Sequence, residues 1–261
     1  MRDPGRAVPR LGLAGSPRLR ADSQSIMITP RAGGADRSTS TLQVGDGVSN
    51  TTPALKPHAR DVVVQIIPPH VAREVLVRHH YLRSMPGATR LCLGVFLDQE
   101  ILGAITLGAG PINGHRLVDG AGRDEVWTLS RLWLDDSLPT NTESHVLAVV
   151  VRSLRRFTAV RALIAYADPA AGHVGVVYQA AGWLYTGAPR SLPKLDLGDG
   201  VPRHCRSVGS TFSSHSVSYL RRRGLPVRQV PQPPKHRYVV FVDRRWQGRL
   251  LPPVLPYPKA R

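Results

Sequence analysis

From Asp61 to Gly187 the chain alternates short β-branched runs with stretches whose apolar residues recur at helical spacing, about every 3.6 positions. "VVVQII" (62 to 67) reads as a strand, after which Pro69 opens a helix carrying Val71, Val75 and Leu76 that ends near "RHHY". "LCLGVFLDQEILGAITLG" (91 to 108) is two apolar runs around Asp98-Gln99-Glu100, the pattern of a β-hairpin. "VWTLSRLWL" (126 to 134) is a further strand. The next stretch, "TNTESHVLAVVVRSLRRF", has Thr140 and Glu143 at capping-box spacing, with Val146, Leu147, Val150 and Leu154 on one helical face. "ALIAYAD" (162 to 168) is a buried strand, "VGVVYQAAGW" a short helix stopped by Gly182, and "WLYTG" another strand. Such alternation specifies a mixed α/β sheet with helices on its faces.

The flanks differ in texture. Residues 1–59 are rich in Gly, Ser, Thr, Pro and Arg, with too little apolar surface to offset the entropy of ordering, so a disordered basic segment is expected there, with Met27 a candidate start. The folded unit is expected over 60–245. Within it, 187–235 reads as an irregular Pro-rich insertion with one short helix at "VSYLRRRG", and "RYVVFVD" (237 to 243) supplies a last strand before a Pro-rich tail, 246–261.

Charge narrows the partner. The chain has a formal net charge of +17, and residues 201–261 hold 13 Lys or Arg against one acid, Asp243. Lys and Arg that neutralise phosphates gain affinity by releasing counterions, so DNA is the expected partner. Arg221, Arg222, Arg223, Lys235, Arg237, Arg244 and Arg245 are the expected phosphate contacts, and Tyr219, Tyr238 and Trp246 the aromatics among them; alternation makes Tyr238 equally a packing residue. No apolar run approaches the ~20 residues of a membrane span. Two cysteines, Cys92 and Cys205, with no Cys-x-x-Cys pair, fit a reduced cytoplasmic setting.

Several side chains stand out chemically. Asp168 ends a strand just before Pro169, where a carboxylate either closes an Asx-turn or faces a ligand. Tyr178, ten positions on, reads from its surroundings as a core tyrosine. His80 ends the first helix, where a histidine favours the dipole but can also act as base or ligand; His79 reads as surface. Arg131, among Leu129, Leu132 and Leu134, needs either a buried carboxylate or a cleft where it meets an anion, and the cleft is favoured. Strict alternation puts Ser130 on the opposite face from Arg131. His80, Asp168 and His173 are residue types that suit a metal ion, although no metal-ligand spacing fixes such a site.

The element order, with a small-residue helix reading "VVYQAAGW", resembles the GNAT acyltransferase fold, a mixed sheet that splays open between its central strands. Within it, "HHYLRSMPG", "TLSRLWLDD", "TNTES", "YADPAAGHVGVVYQAAGW" and "KHRYVVF", in that order, resemble the phage Mom family of DNA adenine-modification proteins over about residues 60–245. The resemblance implies transfer of a small carbonyl-bearing group of methylcarbamoyl type to adenine N6, protecting phage DNA from host restriction. It implies catalytic roles for His80, Asp168 and Tyr178, with Tyr178 giving its proton to a departing thiolate, and Arg131, read above as facing the cleft, is the fourth expected catalytic residue. It also implies acyl-CoA as donor, held at the helix start by Thr140, Asn141, Thr142 and Ser144, although "SLPTNTES" lacks the paired glycines of most acyl-CoA binders. Two other readings remain: an N-acetyltransferase acting on a protein or small amine, and a DNA-binding protein without catalysis.

Overall fold

A computed structural model describes residues 56–259; the segment expected to be disordered and Met27 lie almost wholly or wholly outside them. Nine strands and five helices run in the order β1 (Val63–Ile66), α1 (Pro69–His79), β2 (Thr89–Leu97), β3 (Glu100–Gly108), β4 (Val126–Leu134), α2 (Thr142–Phe157), β5 (Ala162–Ala167), α3 (Val176–Ala180), β6 (Leu184–Tyr185), β7 (Lys194–Asp196), α4 (Cys205–Phe212), α5 (Val217–Arg222), β8 (Arg228–Val230) and β9 (His236–Phe241) among the described residues. Seven strands form one sheet in the order β1-β2-β3-β4-β5-β9-β6. It is antiparallel except at its centre, where β4 and β5 run parallel and α2 provides the crossover.

The β2–β3 hairpin closes through Asp98 and Gln99, both with positive φ (49° and 68°), as a tight two-residue turn on right-twisted strands requires. α1 begins with Pro69 in its first turn, where the missing amide costs nothing, and buries Ala72 and Leu76. α2 buries Val146, Leu147, Val149, Val150 and Leu154 along one stripe. Its start differs from the capping-box expectation: Asn141 is the N-cap, in the left-handed region at φ 68°, and no side chain caps the helix. A tight Pro139 turn takes the Thr142 amide and hydroxyl instead, displacing Thr140 from the capping position.

The two faces of the sheet carry different partners. Leu93, Ile105, Leu107, Leu129, Leu163 and Ala165 pack with α2, Tyr178 and Trp183 in the main core. On the other face, Cys92 packs with Ile67 and Ala72 beneath α1, and Ile164, Val239 and Phe241 pack with Val118 and Trp246. Tyr238 is fully buried in the main core and is a packing residue.

Two segments are more ordered than their sequence suggests. Residues 187–235 hold β7, α4, α5 and β8 around a small core of Leu195, Cys205, Val208, Leu220 and Val227; this element of structure is hidden in the sequence because its apolar residues come from short pieces broken by Pro and Gly. The final Pro-rich stretch lies back on the domain, with Leu251 and Leu255 amides donating to Leu117 and Tyr185 carbonyls and the Tyr257 hydroxyl to the Trp183 carbonyl.

Candidate active site at the parting of the sheet

β4 and β5 pair only from Val126↔Ala162 to Leu129↔Ala165; beyond that point β4 runs on to Leu134 and β5 to Ala167 without each other. Only where two central strands separate can groups from both faces of a sheet reach one ligand. The register with β3 shifts at the same place: Leu129 lies opposite Leu107 but Arg131 lies opposite Thr106. Ser130 is therefore an extra residue on β4, a bulge that turns Arg131 from the main-core face to the face of α1. This breaks the strict Ser130/Arg131 alternation expected from the sequence. The next odd residue keeps the new facing, since the Trp133 ring stacks on His79 of α1 at 4.3 Å.

Arg131 has no carboxylate partner among the described residues. Its guanidinium donates to the Ser84 carbonyl (3.1 Å), the Ser84 hydroxyl (3.3 Å) and the Ser130 carbonyl (2.7 Å). Burial lowers its pKa, which marks a cation whose charge is not neutralised locally. Opposite it, the hydroxyl of the fully buried Thr106 has no hydrogen-bond partner.

His80 caps the carboxyl end of α1 and is 6% exposed. Its Nδ1 accepts the Leu82 amide at 3.1 Å, so in the neutral ring the proton sits on Nε2. Burial, with Arg131 and His173 nearby, lowers its pKa to about 4. At neutral pH the ring is an uncharged donor rather than a base. His80 stacks on Tyr81 (4.5 Å between centroids), which in turn meets His173 at 5.2 Å. Tyr81 is 47% exposed, and its pKa is raised by partial burial and by Asp168. The sequence signal for Tyr81 was its place in "HHY"; its facing came only with the fold.

Asp168 leaves β5 at the mouth of the gap. Oδ1 accepts the Ala170 amide at 3.0 Å, the Asx-turn expected before Pro169, and Oδ2 pairs with the Lys235 ammonium at 2.7 Å. A carboxylate has about four lone-pair sites, so acceptor capacity remains on both oxygens. Tyr178 comes from α3, on the opposite face from Arg131. α3 starts at Gly175, whose φ of +86° and 2.4 Å approach to the Tyr238 ring, measured from where a Cβ would lie, admit only glycine. Tyr178 packs against Trp183 and Tyr238, yet its hydroxyl has no hydrogen-bond partner among the described residues. Burial, with smaller contributions from Tyr81 and Tyr238, raises its pKa and keeps the phenol protonated.

His80 stacks on Tyr81, and the Tyr81 phenol feels the charges of Asp168 and Arg131 and in turn raises the pKa of Tyr178. The His80, Asp168 and His173 set does not form a ligand cluster: no group of three His, Cys, Asp or Glu side chains among the described residues is placed to hold a metal ion.

The start of α2 lines a cavity of about 430 Å³ with Thr140, Asn141, Ser144, His145 and Arg60. The expected cofactor ligands divide. Thr142 is buried and its hydroxyl donates to the Pro139 carbonyl; the Ser144 hydroxyl donates to the Asn141 carbonyl. Thr140 and Asn141 are exposed. What fits an anion here is Arg60, the helix start and the buried His145 Nε2, which has no partner.

The expected phosphate contacts also divide. Arg237 is tied to Thr186, its Nε donating to Oγ1 (2.8 Å) and its NH2 to the carbonyl (3.1 Å), and Lys235 pairs with Asp168. Arg245 pairs with Asp243 at 2.8 Å. Because Phe241 lies opposite Ala162 at the start of β5, Arg244 and Arg245 sit at the end of the sheet remote from Asp168. Arg221, Arg222 and Arg223 are exposed, with Arg221 NH2 donating to the Val227 carbonyl and Arg223 to the Tyr219 hydroxyl.

A mixed sheet whose parallel central pair parts after a β4 bulge, with a helix N-terminus beyond, defines a GNAT-like α/β protein. The chain belongs to the Mom protein family, whose model matches residues 61–259. Methylcarbamoylase mom of Escherichia phage Mu is 28% identical over 217 residues, covering 77% of this chain and 85% of that protein. Among solved structures, a GNAT family acetyltransferase from Elizabethkingia anophelis with acetyl-CoA bound matches with a TM-score of 0.40 at 9% identity, over 69% of this chain and 98% of that one. An acetyltransferase from Salmonella typhimurium that modifies the N-terminal serine of ribosomal protein L7/L12 also gives 0.40, at 10% identity, over 69% and 95%.

Proposed function

We propose that this protein is a transferase that places a small carbonyl-bearing group, of methylcarbamoyl type, on the exocyclic N6 of adenine in DNA, and so shields phage DNA from restriction nucleases. The observation that carries this reading is the parting of β4 from β5, with Arg131 on β4 and Asp168 just past the end of β5, in a member of a family whose phage Mu relative is named a methylcarbamoylase.

The adenine amine is a weak nucleophile, its lone pair delocalised into the ring, so it needs a base and a fixed electrophile. It also has to leave the duplex stack. The half-exposed Tyr81, with His173 beside it, offers a stacking surface at the mouth of the gap. Asp168 accepts the N6 proton as the amine attacks the donor's electrophilic carbon. The bond to the leaving group breaks, and Tyr178, kept protonated by burial, supplies the proton that the leaving group takes up. His80 Nε2–H and Arg131 face negative charge as it develops. A donor carried on a phosphate-bearing group such as acyl-CoA would supply the activated carbonyl, and Arg60, Thr140, Asn141 and His145 are the residues that would hold it. A bulky N6 substituent removes the donor that a nuclease reads in the major groove.

The test is expression with a plasmid, digestion of the DNA to nucleosides and mass spectrometry. A heavier deoxyadenosine is expected. Unmodified adenine together with acetylated protein would instead assign the chain to amine acetylation.

A further inference from the structure

We propose that the inserted unit 187–235 is a docking module for duplex DNA, gripping the backbone beside the base presented to the gap; this rests on the adenine-modification reading. Its place in the fold is the first argument. Both ends of the insertion leave the sheet at one spot: the Thr186 amide donates to the Arg237 carbonyl, the Arg237 amide to the Gly187 carbonyl, and His236 lies opposite Ala167, the last residue of β5. The next residue of that strand is Asp168, and the last residue of the insertion, Lys235, makes its ion pair with it. The unit therefore joins the domain at the mouth of the gap.

Its charge is the second argument. Residues 187–235 contain nine Lys or Arg and two acids, Asp196 and Asp199. Both acids are engaged within the unit, Asp196 with Arg228 at 3.0 Å and Asp199 with Arg203. Arg190, Arg206, Arg222 and Arg223 are exposed and have no carboxylate partner among the described residues. A protein surface that is only solvated normally mixes signs; this one matches a polyanion.

The third argument is shape. α4 and α5 are joined by residues 213–216, with Ser213 in the left-handed region, and pack on the β7–β8 ribbon through Val208, Leu220 and Leu195. Neither helix contains an acid, and their exposed positions are Arg206, Ser207, Ser210, Thr211, Ser218, Arg221 and Arg222. Hydroxyls and guanidinium groups on a rigid two-helix unit are the groups that fix register on phosphates without reading bases. A unit that holds its own core can grip the flanking backbone while the gap takes the flipped base.

Fluorescence anisotropy of the full chain on a labelled duplex, over a salt series, tests this. Arg206→Ala/Arg222→Ala should lower the slope of log affinity against log salt by about two, and Arg206→Lys/Arg222→Lys should restore it. An unchanged slope in the double alanine variant, or tighter binding to a single strand or an RNA helix than to the duplex, overturns the proposal. The nucleoside assay separates the two readings. An unchanged slope with adenine modified equally by wild type and the double alanine variant removes the docking role and leaves the chemistry; a reduced slope in the variant with no modified adenine from the wild type does the reverse.

Discussion

The two ends of the β5–β9 pair are both rich in arginine, but they treat charge in opposite ways. At the end where β5 begins, Arg161 bridges Glu125 (3.3 Å) and Asp243 (3.1 Å), Arg245 adds a second contact to Asp243, and Arg161 and Arg249 lie over the Trp246 ring. Arg161, Arg245 and Arg249 there each have a carboxylate or an aromatic face, and Arg244 alone of that group stands in water. At the end where β5 finishes, Arg131 has only neutral oxygens, and Asp168 with Lys235 makes the one ion pair beside it among the described residues. Matched charge at the first end fastens the β5–β9 edge to the segment after it. Unmatched charge at the second end, together with a phenol that has no partner, lowers the cost of bringing in an anionic substrate and raises the cost of leaving the site empty. Stability and chemistry are thus assigned to opposite ends of one strand pair.

The largest effects that would break this contrast come from the chemical end. Tyr178→Phe and Asp168→Asn should each reduce the yield of modified deoxyadenosine by about 10²- to 10⁴-fold, the range for loss of one positioned proton donor or acceptor. Duplex affinity of Tyr178→Phe should not move. If Asp168→Asn instead unfolds the mouth of the gap, seen as faster hydrogen exchange at Ala170 and His173, its carboxylate is only the turn and ion-pair residue that its contacts describe.

Acid separates the two ends by pH window. His80 is neutral in the folded protein with a pKa lowered to about 4, so between its ordinary value near 6.5 and 4 the unfolded chain binds more protons and stability falls as pH drops. The loss is on the order of 3 kcal/mol across that window, and His80→Gln, which can still accept the Leu82 amide, should flatten it. Asp243 is held down to about 2, chiefly by its hydrogen bonds to Arg245, so its contribution is present above about 4 and disappears only as pH falls through 2. Chemical-denaturant titrations at pH 7, 5 and 3 would sort the two. Asp243→Asn should lower stability at pH 5 and leave DNA binding and modification unchanged; equal loss of modification would erase the distinction between the ends.

What the sequence disclosed follows the range of the interaction. The hairpin was legible because two apolar runs flank Asp98-Gln99-Glu100, and α2 because Val146, Leu147, Val150 and Leu154 repeat at helical spacing. His80 and Asp168 could be picked as candidates by residue type and by their place at a helix or strand end, whereas Tyr178 read as core and became a candidate only through the family resemblance. The β4 bulge was not legible, since it depends on how Thr106 and Leu107 of another strand are paired. Nor were the partners of the basic residues: Lys235 on Asp168, Arg237 on Thr186 and Arg245 on Asp243 look alike as charges in a basic run, and only the register of β9 sends them to different ends. Asn141 in place of Thr140 as the N-cap is a one-residue miss of the kind that a tight Pro139 turn produces.

The smallest effect is also the sharpest comparison, because it uses two exposed arginines that composition cannot tell apart. Arg222 is on the inserted unit at the mouth end, and Arg244 follows Asp243 at the remote end. Both have their charge in water, so neither substitution by alanine should alter folding by more than about 0.5 kcal/mol. If phosphates lie only along the mouth, Arg222→Ala should reduce the salt slope of duplex binding by about one and Arg244→Ala should leave it unchanged. A duplex long enough to pass the remote end would engage both, and the slope would then fall for both variants only when the DNA is extended. Equal losses on a short duplex would mean that DNA runs along the sheet rather than across its mouth, which would place the gap beside the groove instead of facing a flipped base.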